Sequence, residues 1–250
     1  MQQFDSYPSL ERALSDRFRG HAVRDFAEWR NKHAYSAASD IPVDAEKNAW
    51  IGRQKRNYRG IGERQGLRHL ISGNVDQPFL DEIGNLGRLE RLELEWPMVA
   101  KELTPLLGLK NLSYLSIDSP RNIADFAILL ELRKLRTLII TNPKKMADLG
   151  WLAEAHHLEV IGIEGGMWSP YRIPTLRPLA GLRALRAFLG VSTSLADQDL
   201  APLADCPRLE YLGIACVAPR AEFDRLGKAR PDLICDWFRP EMWTALRTTR

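Results

Sequence analysis

Apolar residues recur along this chain in two nested periods. The first is a frame, L-x-x-L-x-L, in which isoleucine or valine also fills the apolar positions. Within the frame, apolar and polar residues alternate, which predicts a short β-strand. The first four clear copies start 23 residues apart, and a fifth lies further along; the five begin at Leu89, Leu112, Leu135, Leu158 and Leu209.

A second period precedes each frame, with apolar residues three, six and nine positions before its first leucine. Ahead of Leu112 these are Leu109, Leu106 and Leu103. A three-residue spacing predicts a 3₁₀ turn or a short helix with one buried face. Weaker copies begin at Leu67, at Leu185 and near Leu233. The frame of the Leu185 copy stays open by one residue.

Residues 67–238 therefore resemble a leucine-rich-repeat solenoid of the bacterial, intracellular type, with about seven repeats of roughly 23 residues. The resemblance implies an α/β fold, with a curved parallel sheet on the concave side and short helices or 3₁₀ turns on the convex side. One departure concerns the ninth frame position, where the family often places asparagine. Asn74 and Asn142 lie one position earlier, so the asparagine ladder is expected to be absent or shifted. Proline or glycine stands at the ninth position here: Pro97, Pro120, Pro143 and Gly166.

The regions outside the repeats are expected to be caps. Residues 1–66 have two stretches of helical apolar spacing and a short predicted strand at Asn57–Ile61. We predict a helical N-terminal cap, with a separate functional domain as the alternative. Residues 239–250 are predicted to be a polar C-terminal tail. The cap is expected to bury four aromatic residues against the first repeats, Phe18, Phe26, Trp29 and Trp50.

Composition adds limits rather than a function. The chain has 250 residues, of which 45% are apolar and 27% charged, as in soluble globular proteins. No apolar run approaches the roughly 20 residues that a membrane span needs, and no secretory signal is visible. Three cysteines are too few for a disulfide scaffold, which favours free thiols and a cytoplasmic location. The net charge of +3 does not by itself indicate a polyanionic partner.

Candidate chemistry is sparse. None of the five histidines has a partner at a recognised metal-ligand spacing, so we expect no catalytic site, metal, cofactor or small-molecule substrate. The three cysteines are expected to be small core residues. The basic segment 53–64 could contact phosphates, with Tyr58 as a stacking surface for bases. A solvated face of the cap is the favoured interpretation of that segment, and nucleic acid is the weaker alternative.

The informative surface is the sheet face that carries frame positions 3, 5 and 7, here called the inner face. Its acidic side chains are expected to crowd on adjacent strands, and a partner with a basic surface would relieve their repulsion. Because these positions are expected to be exposed, exchanging Glu93 and Glu95 for lysine should leave thermal stability nearly unchanged. The inner-face candidates for partner binding are Arg91, Glu93, Glu95, Tyr114, Asp118, Glu164 and Tyr211.

An insertion at residues 165–174 lengthens one repeat and adds large apolar residues to a loop. Trp168 and Tyr171 complete the set of partner-binding candidates, because exposed aromatic residues in loops often mark contacts. The alternative, that Trp168 folds back over the core, stays equally open.

Taken with the fold, these features predict a non-enzymatic protein that binds another protein through its inner face. An immunity or inhibitor protein that neutralises a basic toxin or enzyme fits the acidic inner face. A recognition module of a secreted bacterial effector that targets a host protein is the second interpretation. Nucleic-acid binding through residues 53–64 is the third.

Overall fold

The computed structural model describes residues 9–20, 26–44 and 46–248. The chain divides into two compact units. The central unit is Val23–Ala147, and the terminal unit combines Met1–Ala22 with Asp148–Arg250. Each unit is built from the strand and short helix that the repeat predicts, so the leucine-rich-repeat fold class is confirmed.

The central unit contains five parallel strands, four from successive repeats and one, β1, that precedes the first repeat. They are β1 (Asn48–Gly52), β2 (His69–Val75), β3 (Arg91–Met98), β4 (Tyr114–Asp118) and β5 (Thr137–Thr141). The register aligns the same frame position in neighbouring repeats: Leu70 pairs with Leu92, and Leu115 pairs with both Leu92 and Leu138. Side chains of equal frame position therefore form columns across the sheet.

The terminal unit contains three parallel strands of the same kind, β6 (Val160–Glu164), β8 (Ala187–Gly190) and β10 (Tyr211–Ile214). Two further short strands, β7 (Tyr171–Ile173) and β9 (Thr193–Leu195), form a separate parallel pair. Ala187 pairs with Val160, which settles the open frame: Leu185 is the first leucine of its repeat.

The second period builds short helices, as predicted. Within the repeats, 3₁₀ helices follow strands at Thr104–Gly108, Ala127–Glu131, Gly150–Glu154, Arg177–Leu179 and Ala201–Asp205, and others lie at Ala38–Asp40, Ile61–Glu63 and Asp236–Phe238. The longer helices are α1 (Ser9–Arg19), α2 (Phe26–His33), α3 (Gln77–Ile83), α4 (Arg220–Ala229) and α5 (Pro240–Thr248). None of the helices in the described residues is long and apolar enough to cross a membrane.

The core follows the frame. Leu138 and Ile140, at positions 4 and 6, are fully buried, as predicted. Ile139 stands at position 5, where the inner face is expected to be exposed, but that expectation is wrong here because Ile139 is only 4% exposed. Strand alternation decides which face a side chain points to, but not how much water reaches that face.

The asparagine ladder is shifted rather than lost. Asn74, Ser119, Asn142 and Ser192 all have positive φ, and all occupy the eighth frame position. Asparagine and small polar residues tolerate this left-handed backbone better than most residues do. The amide of Asn142 donates to Ser119 Oγ at 2.9 Å, so neighbouring repeats are linked one position earlier than the family pattern.

Two expectations about the chain ends are wrong. Residues 57–60 form turns and Ile61 begins a 3₁₀ helix, while the additional strand is β1, where Ala49 and Ile51 point into the core and Trp50 points to the inner face. At the other end, residues 240–248 form α5 rather than a polar tail. Trp243 of α5 packs edge-on against Trp237, at 5.4 Å between ring centroids, and this contact gives the helix an apolar anchor. The Phe26 side chain lies outside the described residues.

Candidate protein-binding surfaces

Glu93 lies at the centre of a hydrogen-bonded group on the inner face of the central unit. Its Oε1 accepts from Arg91 Nε at 2.8 Å and lies 2.9 Å from His69 Nε2. The Arg91 guanidinium also lies 3.5 Å from the centre of the Tyr114 ring. Burial raises the pKa of Glu93, but the His69 hydrogen bond and the Arg91 charge outweigh it, so the pKa is lowered.

Glu95 is also engaged within the protein. Trp50 on β1 donates its indole N–H to Glu95 Oε2 at 2.9 Å, and the Arg30 guanidinium of α2 lies 3.9 Å from the centre of the Trp50 ring. The Trp29 ring of α2 lies 4.8 Å from the His69 ring. Thus α2 contacts the inner face near β1 and β2.

These contacts correct the crowding argument. Glu93 and Glu95 are partly buried acceptors: Arg91 and His69 contact Glu93, and the Trp50 indole donates to Glu95. No external cation is needed to relieve them. Tyr114 is 9% exposed, and Arg91 lies over its ring, so Tyr114 offers little contact area.

The most accessible apolar side chain beside this group is Trp96, which is 59% exposed. Strand β3 carries one more residue here than either neighbour: Gly73 and Val75 pair with Glu95 and Met98, while Met98 bridges Pro120. An extra residue of this kind redirects the side chain next to it.

Trp96 adjoins Glu95 and, on the neighbouring strand, the end of β4. Leu94 pairs with Ile117, so Glu95 and Asp118 are the next residues on strands about 4.8 Å apart. Asp118 accepts from Ser119 Oγ at 2.8 Å, and the Arg121 guanidinium lies 5.8 Å from the Trp96 ring centre. We name Glu95, Trp96, Asp118 and Arg121 the Trp96 edge.

Sequence reasoning missed Trp96, although a signal was present. The eighth frame position holds asparagine, serine or glycine in the other repeats through Ser192, and tryptophan only in the Leu89 repeat. A large aromatic residue in a column of small ones is the signal that singles out this position.

Glu164 and Tyr211, predicted as exposed binding residues, are buried in the terminal unit. Glu164 is 7% exposed and is hydrogen bonded to Arg19 of α1. Tyr211 is 5% exposed and stacks on Phe18 of α1, with ring centroids 5.9 Å apart. Helix α1 therefore lies on this part of the inner face.

The insertion leaves Trp168 in solvent rather than over the core. Trp168 is 91% exposed and Met167 is 85% exposed, at the tip of a turn closed by the Gly166 N–H donating to Ser169 O at 3.0 Å. Tyr171 instead is half-buried in β7, and burial, with Asp148 nearby, raises its pKa to about 12. The two predicted loop residues thus differ in accessibility.

The basic segment does not carry the stacking surface expected of it. Tyr58 is 7% exposed and stacks on Phe79 at 4.8 Å. Arg53 donates to the Asn74 carbonyl oxygen at 2.8 Å and pairs with Asp76 at 3.3 Å. Two of the groups proposed for nucleic-acid contact are therefore engaged within the central unit, while Lys55, Arg56 and Arg59 remain exposed.

Within the described residues, no group of three or more His, Cys, Asp or Glu side chains is arranged to hold a metal ion. Cys206 and Cys235 are buried, as expected of core residues. Cys216 is exposed, so the prediction that it is a core residue is wrong; it follows the last strand, where the buried alternation has ended.

Comparisons with known proteins give similarity at the level of solved structures. No family model and no curated protein matches the chain. An internalin from Listeria monocytogenes is 16% identical, with a TM-score of 0.43, and the match covers 69% of this chain but 61% of that one. Internalin C2 from the same organism is 23% identical, with a TM-score of 0.44, covering 65% and 70%. A leucine-rich-repeat protein from Leptospira interrogans is 14% identical, with a TM-score of 0.34, covering 63% and 57%.

Proposed function

We propose that this protein is a non-enzymatic binding module that holds a protein partner against the Trp96 edge. The single observation that carries the proposal is the exposed Trp96, which follows Glu95 on β3 at the edge that adjoins Asp118 of β4. Tryptophan is enriched among the residues that dominate binding energy at interfaces, because it buries a large area at low entropic cost.

The chemistry of the edge favours a partner that presents lysine or arginine. A cation placed against the Trp96 ring gains a cation–π contact, and Asp118, at the end of the neighbouring strand β4, is a half-buried carboxylate. Glu95 is held in place by the Trp50 indole, so its position is set before any partner binds. Ordering of this kind lowers the entropic cost of association.

The specific role that we propose is that of a cytoplasmic immunity or inhibitor protein that neutralises a basic toxin or enzyme. Charge complementarity supports this role, since the edge carries two carboxylates, Glu95 and Asp118, against the single guanidinium of Arg121, and an excess of negative charge accelerates encounter with a basic protein. The exposed Trp168 turn of the terminal unit is the alternative interface.

The test is affinity capture from an extract of the source organism, using three baits. The native chain and a Lys144→Glu/Lys145→Glu control should retain the same basic protein, since both lysines are exposed outside the edge. A Trp96→Ala/Asp118→Lys bait should lose it, and the purified partner should associate with that variant at least about tenfold more slowly. Equal retention by all three baits would reject the Trp96 edge, and a Trp168→Ser bait would then locate the interface.

A further inference from the structure

Helix α1 occupies the inner face of the terminal unit through an aromatic contact. The rings of Phe18 and Tyr211 lie nearly parallel, 6° apart in orientation and 5.9 Å between centroids. The Arg186 guanidinium lies 5.6 Å from the centre of the Phe18 ring. Phe18 is 4% exposed, so this face of the sheet provides most of the burial that the side chain has.

A charged contact stands beside the aromatic one. Arg19 is bidentate on Glu164, with one guanidinium nitrogen on each carboxylate oxygen, and its Nε donates to Ser15 Oγ at 3.2 Å. Glu164 is 7% exposed. A carboxylate this far from water needs a cationic partner, and α1 supplies it. Phe18 thus packs on the Tyr211 ring, and the adjacent Arg19 neutralises the Glu164 carboxylate.

The sheet beneath is shaped to receive a helix. Its inner-face positions include small residues, Gly162, Ala187 and Gly213. A Cβ on Gly213 would lie 2.9 Å from the Tyr211 ring, so glycine there keeps the ring in the orientation that stacks on Phe18. A cavity of about 200 Å³ remains beside α1, and Val191 at its edge is 50% exposed. The present occupant therefore does not fill the face.

Helix α1 is weakly stabilised by its own sequence. It has 11 residues, of which five are charged, and helices shorter than about 12–15 residues are marginal in water without tertiary contacts. Its helical state therefore depends on docking. Elements of this kind open at lower free energy than core strands do.

We propose that the inner face of the terminal unit is a recognition site for an amphipathic helix that carries an aromatic residue followed by arginine, and that α1 is its built-in, displaceable occupant. The partner is a helical protein segment that places its aromatic ring on Tyr211 and its guanidinium on Glu164. This site is independent of the Trp96 edge in the central unit, so failure of either proposal leaves the other standing.

A fluorescently labelled peptide of residues 9–20 is the probe, used in trans against the full chain. Full-length Phe18→Ala/Arg19→Glu, in which α1 has lost both contacts, should bind the peptide at least about tenfold more tightly than the native chain, because docked α1 reduces the open fraction. Adding Glu164→Gln to that variant should reverse the gain, and a peptide with Phe18→Ala should not bind. Peptide binding that is equal for both chains, or absent from both, would overturn the proposal.

Hydrogen exchange of the native chain gives a second test that needs no variant. Amides of residues 9–20 should exchange faster than those of β6, β8 and β10, and excess unlabelled peptide should accelerate them further. Exchange of α1 as slow as that of the strands would show a fixed cap and reject the idea. A concentration-dependent dimer of the native chain that is lost in Phe18→Ala/Arg19→Glu would also reject it, since α1 would then be exchanged between copies of this chain.

Discussion

Replacing Glu93 by lysine should destabilise the central unit, contrary to the expectation from its strand position alone. The carboxylate accepts from Arg91 Nε at 2.8 Å and lies 2.9 Å from His69 Nε2, and its side chain is 24% exposed. Lysine would remove both contacts and place a second cation beside Arg91. Asp118→Lys, at the same face but with only Ser119 as a hydrogen-bonding neighbour among the described contacts, is the matched control.

The magnitude follows from the two lost contacts. Hydrogen bonds to charged groups contribute about 1.5–3 kcal/mol each when buried. Halving their sum for the solvent that still reaches Glu93 gives about 1.5–3 kcal/mol for Glu93→Lys. Glu93→Gln keeps a neutral acceptor for Arg91 and should cost about 1 kcal/mol. Asp118→Lys should stay within about 0.5 kcal/mol of the native chain.

The pH dependence has a defined sign. The pKa of Glu93 is lowered in the folded state from the ordinary 4.5. Its ionised form therefore contributes stability above pH 4.5, and that contribution is lost as the pH falls through the folded pKa. The difference in free energy of unfolding between the native chain and Glu93→Gln should accordingly shrink below pH 4.5.

Urea unfolding followed by tryptophan fluorescence measures these differences at pH 7 and below pH 4.5. The reasoning is refuted if Glu93→Lys and Asp118→Lys unfold at the same urea concentration at pH 7. If the difference in free energy of unfolding between the native chain and Glu93→Gln were the same at the lower pH, the assigned role of the carboxylate charge would be refuted separately.

Three further predictions test the fold and its surface. Leu138→Ala should cost about 2–5 kcal/mol of unfolding free energy by chemical denaturation, and Thr137→Ala no more than about 0.5 kcal/mol; equal costs would show the register to be wrong. Gly165→Ala should sharply lower the melting temperature, since its Cβ would lie 1.9 Å from a backbone carbonyl oxygen; a native melting temperature would contradict that packing. A thiol reagent should modify exposed Cys216 quickly and buried Cys206 only on unfolding, because burial also raises the Cys206 thiol pKa; mass spectrometry would show equal rates if this is wrong.

The repeat itself could be predicted from the sequence because it is a local property. A strand shows its buried side every second residue and a 3₁₀ turn every third. The local pattern therefore predicts which leucines lie in the core without knowledge of the rest of the chain, as it does for Leu92, Leu115 and Leu138. The repeat start at Leu185 was a weaker signal, and its frame needed the pairing of Ala187 with Val160.

The candidate site could be predicted only in part. The sequence identified Glu95 and Asp118 by their column, but accessibility depends on what lies over the face, which no period encodes. The contact of Arg19 with Glu164 joins residues 145 positions apart. Neither residue carries a signal for the other.

Trp96 shows most clearly which properties follow from the sequence and which from the tertiary structure. Its presence in a column of small residues was readable from the sequence, but its 59% exposure depends on an extra residue in β3 relative to both neighbouring strands. Register between strands is set by the whole sheet and its turns. The sequence alone therefore determined the repeat and the identity of the face residues, while the tertiary structure decided which of them remain open to a partner, because burial arises from contacts between distant segments.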